Sequence, residues 1–118
     1  MDRSWKECYL NVPLNKRGEQ EYSQTRTSWS NVYTGVITWD EFDLLIDVFN
    51  EWNDKFDLLI DVFEDDALPA DKTREAMAIL ERYMTKRKDV PAFVSAASKL
   101  KEALQKAIEA RTPLFLDF

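Results

Sequence analysis

Histidine is absent from this chain of 118 residues, and cysteine occurs only once, as Cys8. Without an imidazole, the chain cannot use histidine to activate a nucleophile, to act as a general base or to complete the commonest zinc sites. A single cysteine excludes an internal disulfide bond, which is typical of a reducing compartment and predicts a cytoplasmic protein. We therefore expect no enzymatic activity, no catalytic residue, and no metal or other cofactor.

Glycine and long apolar runs are also scarce. Gly18 and Gly35 are the only glycines, and the sequence contains no P-loop, dinucleotide-binding, nucleophile-elbow or paired-cysteine motif. No apolar run approaches the length of a transmembrane helix, and the first ten residues lack the apolar core of a signal peptide. The sequence therefore predicts a protein that does not associate with membranes.

Negative charge dominates what is present, with 22 acidic residues against 16 basic ones and a formal net charge of −6. Hydrophobic residues make up 45% of the chain, which is ample for a core, and the length suits a single domain over residues 1–118. The net acidity disfavours direct binding to nucleic acid. The acidity is concentrated in residues 39–66, where Lys55 is the only cation.

An eight-residue string, FDLLIDVF, occurs twice in this acidic segment, at residues 42–49 and 56–63. The copies start 14 residues apart, which is two heptads, so on one helix they point nearly the same way. Thr38 and Glu41 have the spacing of a capping box. We therefore predict one long helix over residues 39–66, or a helical hairpin if a turn forms at residues 50–54. The apolar side of this helix predicts the following core residues: Phe42, Leu45, Phe49, Leu59 and Phe63.

The flanking regions complete the predicted fold. Cys8, Leu10 and Val12 alternate as in a short strand that Pro13 limits to an edge or ends. Residues 15–18 are typical of a turn, and residues 19–30 fit a second strand or a loop, so residues 1–38 predict a small β-hairpin or an irregular element. Residues 71–111 predict a helical hairpin, with Asp71 and Asp89 as helix caps and Pro91 near the second start. The apolar tail, residues 112–118, is expected to dock on the core or to bind a partner. The predicted fold class is mostly α, with three long helices.

The polar residues of the predicted central helix form a single, mostly acidic stripe at alternating spacings of four and three residues: Asp43, Asp47, Asn50, Asp54, Asp57 and Asp61. Like charges four residues apart repel each other, and aspartate is a mediocre helix former, so helix stability does not explain this acidic stripe. A solvated face, or pairing with cations of the later helices, would explain it without a partner. The functional interpretation is a surface for a basic protein, formed by Asp43, Asp47, Asp54, Asp57 and Asp61.

These observations predict a non-enzymatic acidic binding protein that masks a cationic partner surface, in the manner of an immunity protein or antitoxin-like inhibitor. One alternative is a structural or oligomerisation module that forms a homodimer through the duplicated helix. A less favoured alternative is a small enzyme with a divalent metal held by the D-x-x-x-D pairs Asp43/Asp47 and Asp57/Asp61. The later helices carry no matching acidic motif, which argues against that metal site.

Overall fold

A four-stranded antiparallel sheet and five α-helices form the part of the chain that the computed structural model describes, residues 7–24, 29–61 and 65–118. In chain order the elements are β1 (Glu7–Pro13), α1 (Lys16–Ser23), β2 (Val32–Thr38), α2 (Trp39–Leu44), α3 (Ile46–Phe56), β3 (Asp65–Leu68), a 3-10 turn (Ala70–Lys72), α4 (Thr73–Lys86), α5 (Pro91–Ala110) and β4 (Leu114–Asp117). The predicted mostly α fold with three long helices is therefore wrong, and the chain has an α+β fold.

The sheet has the strand order β2-β1-β4-β3. The predicted alternation in β1 is confirmed, since Cys8, Leu10 and Val12 are all buried. Pro13 ends this strand, and β1 lies inside the sheet instead of at its edge. The apolar tail does dock on the core, but as the central strand β4, with Leu114 and Leu116 buried.

The core lies between one face of the sheet and the helices α2 to α5. The rings of Phe42 and Phe49 stack at 5.2 Å between centroids, and the Phe118 ring contacts both. Trp52 is fully buried, and its indole N–H donates to the carbonyl oxygen of Ala76 on α4 at 3.2 Å. This bond fixes α3 against α4.

The opposite face of the sheet carries α1, where the sequence predicted a turn followed by a second strand or a loop. Asn15 caps α1, because its Oδ1 accepts from the N–H of Gly18 at 2.9 Å. A side chain could not replace the glycine hydrogen, since a Cβ at Gly18 would lie 2.1 Å from the carbonyl oxygen of Asn31. On the same face the Tyr22 ring stacks on Phe115 of β4 at 4.0 Å. Residues 25–28 of the predicted strand or loop lie outside the described residues.

The predicted central helix is correct at its start and wrong at its end. Thr38 and Glu41 form the capping box. The N–H of Thr38 donates to the Glu41 carboxylate at 3.0 Å, and the N–H of Glu41 donates to the Thr38 hydroxyl oxygen at 3.2 Å. The helical path is interrupted at Leu45 and resumes as α3, which runs through residues 50–54 without the alternative turn. It ends at Phe56, and the next residue, Asp57, has left-handed dihedral angles (φ 57°, ψ 48°). Residues 58–61 are not helical.

The two FDLLIDVF copies therefore fold differently, and their flanks explain the difference. Sliding the chain by one 14-residue repeat would put Asp66 in the buried position of Trp52 and Lys55 in the capping position of Glu41. Burial of an unpaired carboxylate is costly, so only the first copy fits the core. Among the predicted core residues, Phe42, Leu45 and Phe49 are buried, as expected. Leu59 is 78% exposed, contrary to the prediction, and Phe63 lies outside the described residues.

The helical hairpin predicted for residues 71–111 is present as α4 and α5. Its predicted caps are wrong, because Lys72 and Val90 occupy the N-cap positions and neither forms a side-chain cap. Pro91 is the first residue of α5, as a proline near the helix start predicts. In the described part of the chain, no helix has both the length and the apolar character needed to cross a membrane.

Candidate partner-binding groove

The segment that follows α3 folds back along it. After the left-handed turn at Asp57, the N–H of Ile60 donates to Oδ1 of Asn53 at 2.7 Å, and Nδ2 of Asn53 donates to the Ile60 carbonyl oxygen at 3.1 Å. The Asp66 carboxylate accepts from the N–H of Leu59 at 2.7 Å. These bonds give residues 57–61, here called the return segment, a defined position beside α3.

A groove of about 400 Å³ lies between α3 and the return segment. Its lining residues are Ile46, Asn50, Asn53, Leu59, Ile60 and Asp61. Ile60 is buried and anchors the return segment, whereas Leu59 exposes 78% of its surface. Single exposed leucines are common, but this one forms a wall of a groove that also contains the half-buried Ile46. We call this feature the acidic groove, because Asp61 lines it and the acidic segment of the chain forms both of its sides.

The five aspartates predicted to bind a partner are all exposed, but they do not share one helix face. Asp43 lies on α2, and Asp47 and Asp54 lie on α3. Asp57 is the C-cap that follows α3, and Asp61 lines the groove together with Asn50. The prediction that these aspartates form one stripe along a continuous helix is therefore wrong. The reversal of the chain, and not a continuous helix, brings Asp61 back to α3.

Part of the acidic stripe is neutralised within the chain. Asp47 pairs with Arg87, Glu51 pairs with Arg82, and the Glu41 carboxylate lies 2.7 Å from the Lys99 ammonium. These contacts tie α2 and α3 to the two later helices. Within the residues that the structure describes, no cation pairs with Asp54 or Asp57. Internal pairing therefore accounts for Asp47 and leaves these two carboxylates to solvent.

Glu51 is the best defined of the internal acids. Its hydrogen bond from Arg82 lowers the pKa of the carboxyl group, and a 3.0 Å bond from the Tyr83 hydroxyl group contributes in the same direction. Burial and the neighbouring Glu51 carboxylate raise the pKa of Tyr83. Near neutral pH this arrangement keeps Glu51 ionised and Tyr83 protonated. We interpret Glu51 as a clamp between α3 and α4 and exclude it from the binding surface.

The described residues contain no group of three or more acidic or cysteine side chains that could hold a metal ion. Asp57 and Asp61 do not lie one helical turn apart, because α3 ends just before the first of them. Asp57 and Asp61 therefore do not form the one-face carboxylate pair that the predicted metal site requires.

Sequence reasoning missed Asn53 and the exposed position of Leu59. Asn53 precedes Asp54 in a run of polar residues where a turn was considered, and that polar run was the available signal. Its actual role is to bind the backbone of a segment seven residues later. Leu59 was predicted to be buried because it occupies the same position in the second copy as Leu45 does in the first.

No protein-family model matches the sequence, and comparisons with curated proteins and with solved structures give no significant match.

Proposed function

We propose that this protein is a non-enzymatic binding protein whose acidic groove docks on a basic protein and masks its cationic surface, as immunity proteins and antitoxin-like inhibitors do. The observation that carries the proposal is a groove lined by both an exposed leucine and an exposed carboxylate, with two further exposed aspartates in the residues that lead into it. Leu59 forms the wall and Asp61 lines the groove. Asp54 lies in the last turn of α3, and Asp57 begins the return segment.

Charge supports a basic partner. The chain has a net charge of −6, and the exposed Asp54 and Asp57 have no cationic partner within the described residues. Such a surface attracts a positively charged protein over a distance and orients it during encounter. If the partner binds nucleic acid, carboxylates on this surface occupy the positions that phosphates would otherwise fill.

The apolar wall supplies the short-range part of the interface. Charged pairs at a rim contribute mainly to the association rate, whereas buried apolar anchors contribute most of the affinity. Leu59 exposes 78% of its surface, and its backbone N–H is held by Asp66. The side chain is therefore presented on a positioned segment, and a complementary partner would offer an apolar socket flanked by lysine or arginine.

The proposal is tested by capturing partners at low salt on the wild-type chain and on a triple variant, Asp54→Asn, Asp57→Asn and Asp61→Asn. Asparagine preserves the size of these exposed side chains and tolerates the left-handed conformation at residue 57. The control is the double variant Asp71→Asn and Asp89→Asn, which changes exposed aspartates outside the groove. A basic protein that binds the wild type and the control, but not the triple variant, is expected. A partner that binds all three equally would overturn the groove assignment.

A further inference from the structure

The outer edge of β2 has unpaired backbone groups. The N–H of Thr38 donates to the Glu41 side chain at 3.0 Å and not to β1, and the N–H of Leu14 donates to the carbonyl oxygen of Asn31 at 2.8 Å. In an antiparallel pair, alternate residues direct their backbone groups to the same side. Val32, Thr34 and Val36 therefore point their N–H and C=O groups away from β1. Nothing within the described residues hydrogen-bonds to those groups.

This edge also lacks the usual protection against pairing. Natural edge strands are kept apart by charged side chains, proline, bulges or short length. The seven residues of β2, VYTGVIT, include neither a charged residue nor a proline. The opposite edge of the same sheet differs: β3 has four residues, begins with Asp65 and Asp66, and is followed by Pro69. Among the described residues, β2 is therefore the edge strand without a charged residue, a proline or a short length to protect it.

We propose that β2 pairs antiparallel with β2 of a second copy of this chain, about a two-fold axis through Thr34. In this register Thr34 lies opposite Thr34 of the partner subunit, and Val32 lies opposite Val36 of the partner subunit. Threonine pairs and pairs of β-branched residues are favourable across antiparallel strands. Each outward N–H then meets a carbonyl group of the other copy, and the two sheets become one continuous sheet.

The residues at the edge favour a second copy over another occupant. A symmetric dimer needs a self-complementary surface, and the outward residues Val, Thr and Val read the same in both directions about Thr34. Two chains of net charge −6 repel each other, which favours contact through a strand whose own residues are uncharged. β2 is such a strand. This inference is independent of the acidic groove, since none of these residues lines it.

The experiment measures the mass of the full chain by sedimentation equilibrium over a dilution series. Wild type is expected to convert from dimer to monomer on dilution. Thr34→Lys and Thr34→Glu each place like charges directly opposite one another at the axis, so each variant is expected to dissociate up to about fivefold more readily. An equimolar mixture of the two is expected to recover the dimer, because the charges are then opposite. Failure of the mixture to recover it would overturn the register.

Two control variants separate pairing from folding. The Thr34 hydroxyl group donates to Oδ1 of Asn11 at 2.7 Å, and Thr34→Val removes this bond without adding charge, so this variant is expected to remain dimeric. Val36→Pro removes an N–H that points to the open edge, leaves the bonds to β1 in place, and is expected to be a folded monomer by circular dichroism. Wild type that stays monomeric at every concentration, or a Val36→Pro variant that stays dimeric, would overturn the proposal.

Discussion

Asn53 holds the backbone of Ile60 by two hydrogen bonds, one from the Ile60 N–H to Oδ1 and one from Nδ2 to the Ile60 carbonyl oxygen. A side-chain amide thus takes the place of a neighbouring strand. Because Ile60 is also buried, the return segment is fixed at one point by both polar and apolar contacts. The exposed Leu59 immediately before it forms the wall of the acidic groove.

Replacing Asn53 with alanine is expected to release the return segment and to destabilise the chain by about 1–3 kcal/mol, because two backbone groups lose their partner. The amide hydrogen of Ile60 should then exchange with solvent much faster than in the wild type. Asn50→Ala is the control, since Asn50 lines the same groove on the same helix but is exposed. Unchanged exchange at Ile60 would show that Asn53 does not hold the segment.

Leu45 and Leu59 occupy the same position in the two copies of FDLLIDVF, but they are 0% and 78% exposed. Leu45→Ala is therefore expected to cost about 2–5 kcal/mol of unfolding free energy, the range for a buried leucine. Leu59→Ala should stay within about 0.5 kcal/mol of the wild type, as surface substitutions do. Chemical denaturation of both variants measures the difference. Equal losses would contradict the assignment of the first copy to the core and the second to the surface.

Local signals made part of this fold predictable. The capping box at Thr38 and Glu41, the alternation in β1 and the apolar periodicity of α4 and α5 each depend on residues close in sequence, and all are present. The sheet depends on distant pairing. Asn11 on β1 and Asp117 on β4 share a 2.6 Å hydrogen bond across 106 residues of chain. A four-residue strand at the end of the chain carries no local sign of that partner.

The sequence predicted that the aspartates of the candidate site are exposed, but it did not predict how they are arranged. Exposure of the five aspartates followed from the acidic pattern. Their alignment was derived from helical periodicity, which requires the helix to continue past Phe56. The residues that flank the two copies determine which copy packs in the core. Trp52 follows the first copy and is buried, whereas Asp66, at the same position after the second copy, cannot replace it. Which copy packs there depends on the assembled core, so the periodicity of the string alone could not reveal it.

The clamp at Glu51 predicts a pH dependence of stability. The folded state lowers the pKa of this carboxyl group, mainly through the Arg82 hydrogen bond. Its contribution to stability is therefore fully present above the unfolded-state pKa and is lost as the pH falls through the lower, folded-state value. Glu51→Gln should reduce the loss of unfolding free energy on acidification, measured by denaturant titration at a series of pH values.

The control for this measurement is Glu109→Gln, which removes an exposed glutamate of α5. It should leave the acid dependence close to that of the wild type. If Glu51→Gln and Glu109→Gln gave the same pH profile as the wild type, the bond to Arg82 would not contribute to stability.

Leu59→Ala separates binding from folding. Truncation of an apolar anchor at the centre of an interface commonly costs more than about 1 kcal/mol of binding free energy. We expect weaker binding of the captured basic partner, chiefly through faster dissociation, in a variant whose melting temperature is unchanged. Isothermal titration calorimetry and stopped-flow dissociation give the two values. Full affinity in this variant would remove the groove wall from the interface.

The central claim is that Asp54, Asp57 and Asp61 attract a basic protein, and the association rate constant as a function of salt concentration tests it most directly. Wild type should associate fast at low salt and much more slowly as salt screens the charges. The triple asparagine variant should associate more slowly at low salt and should depend less on salt than the wild type. Equal association rates of the two proteins at low salt would contradict the account.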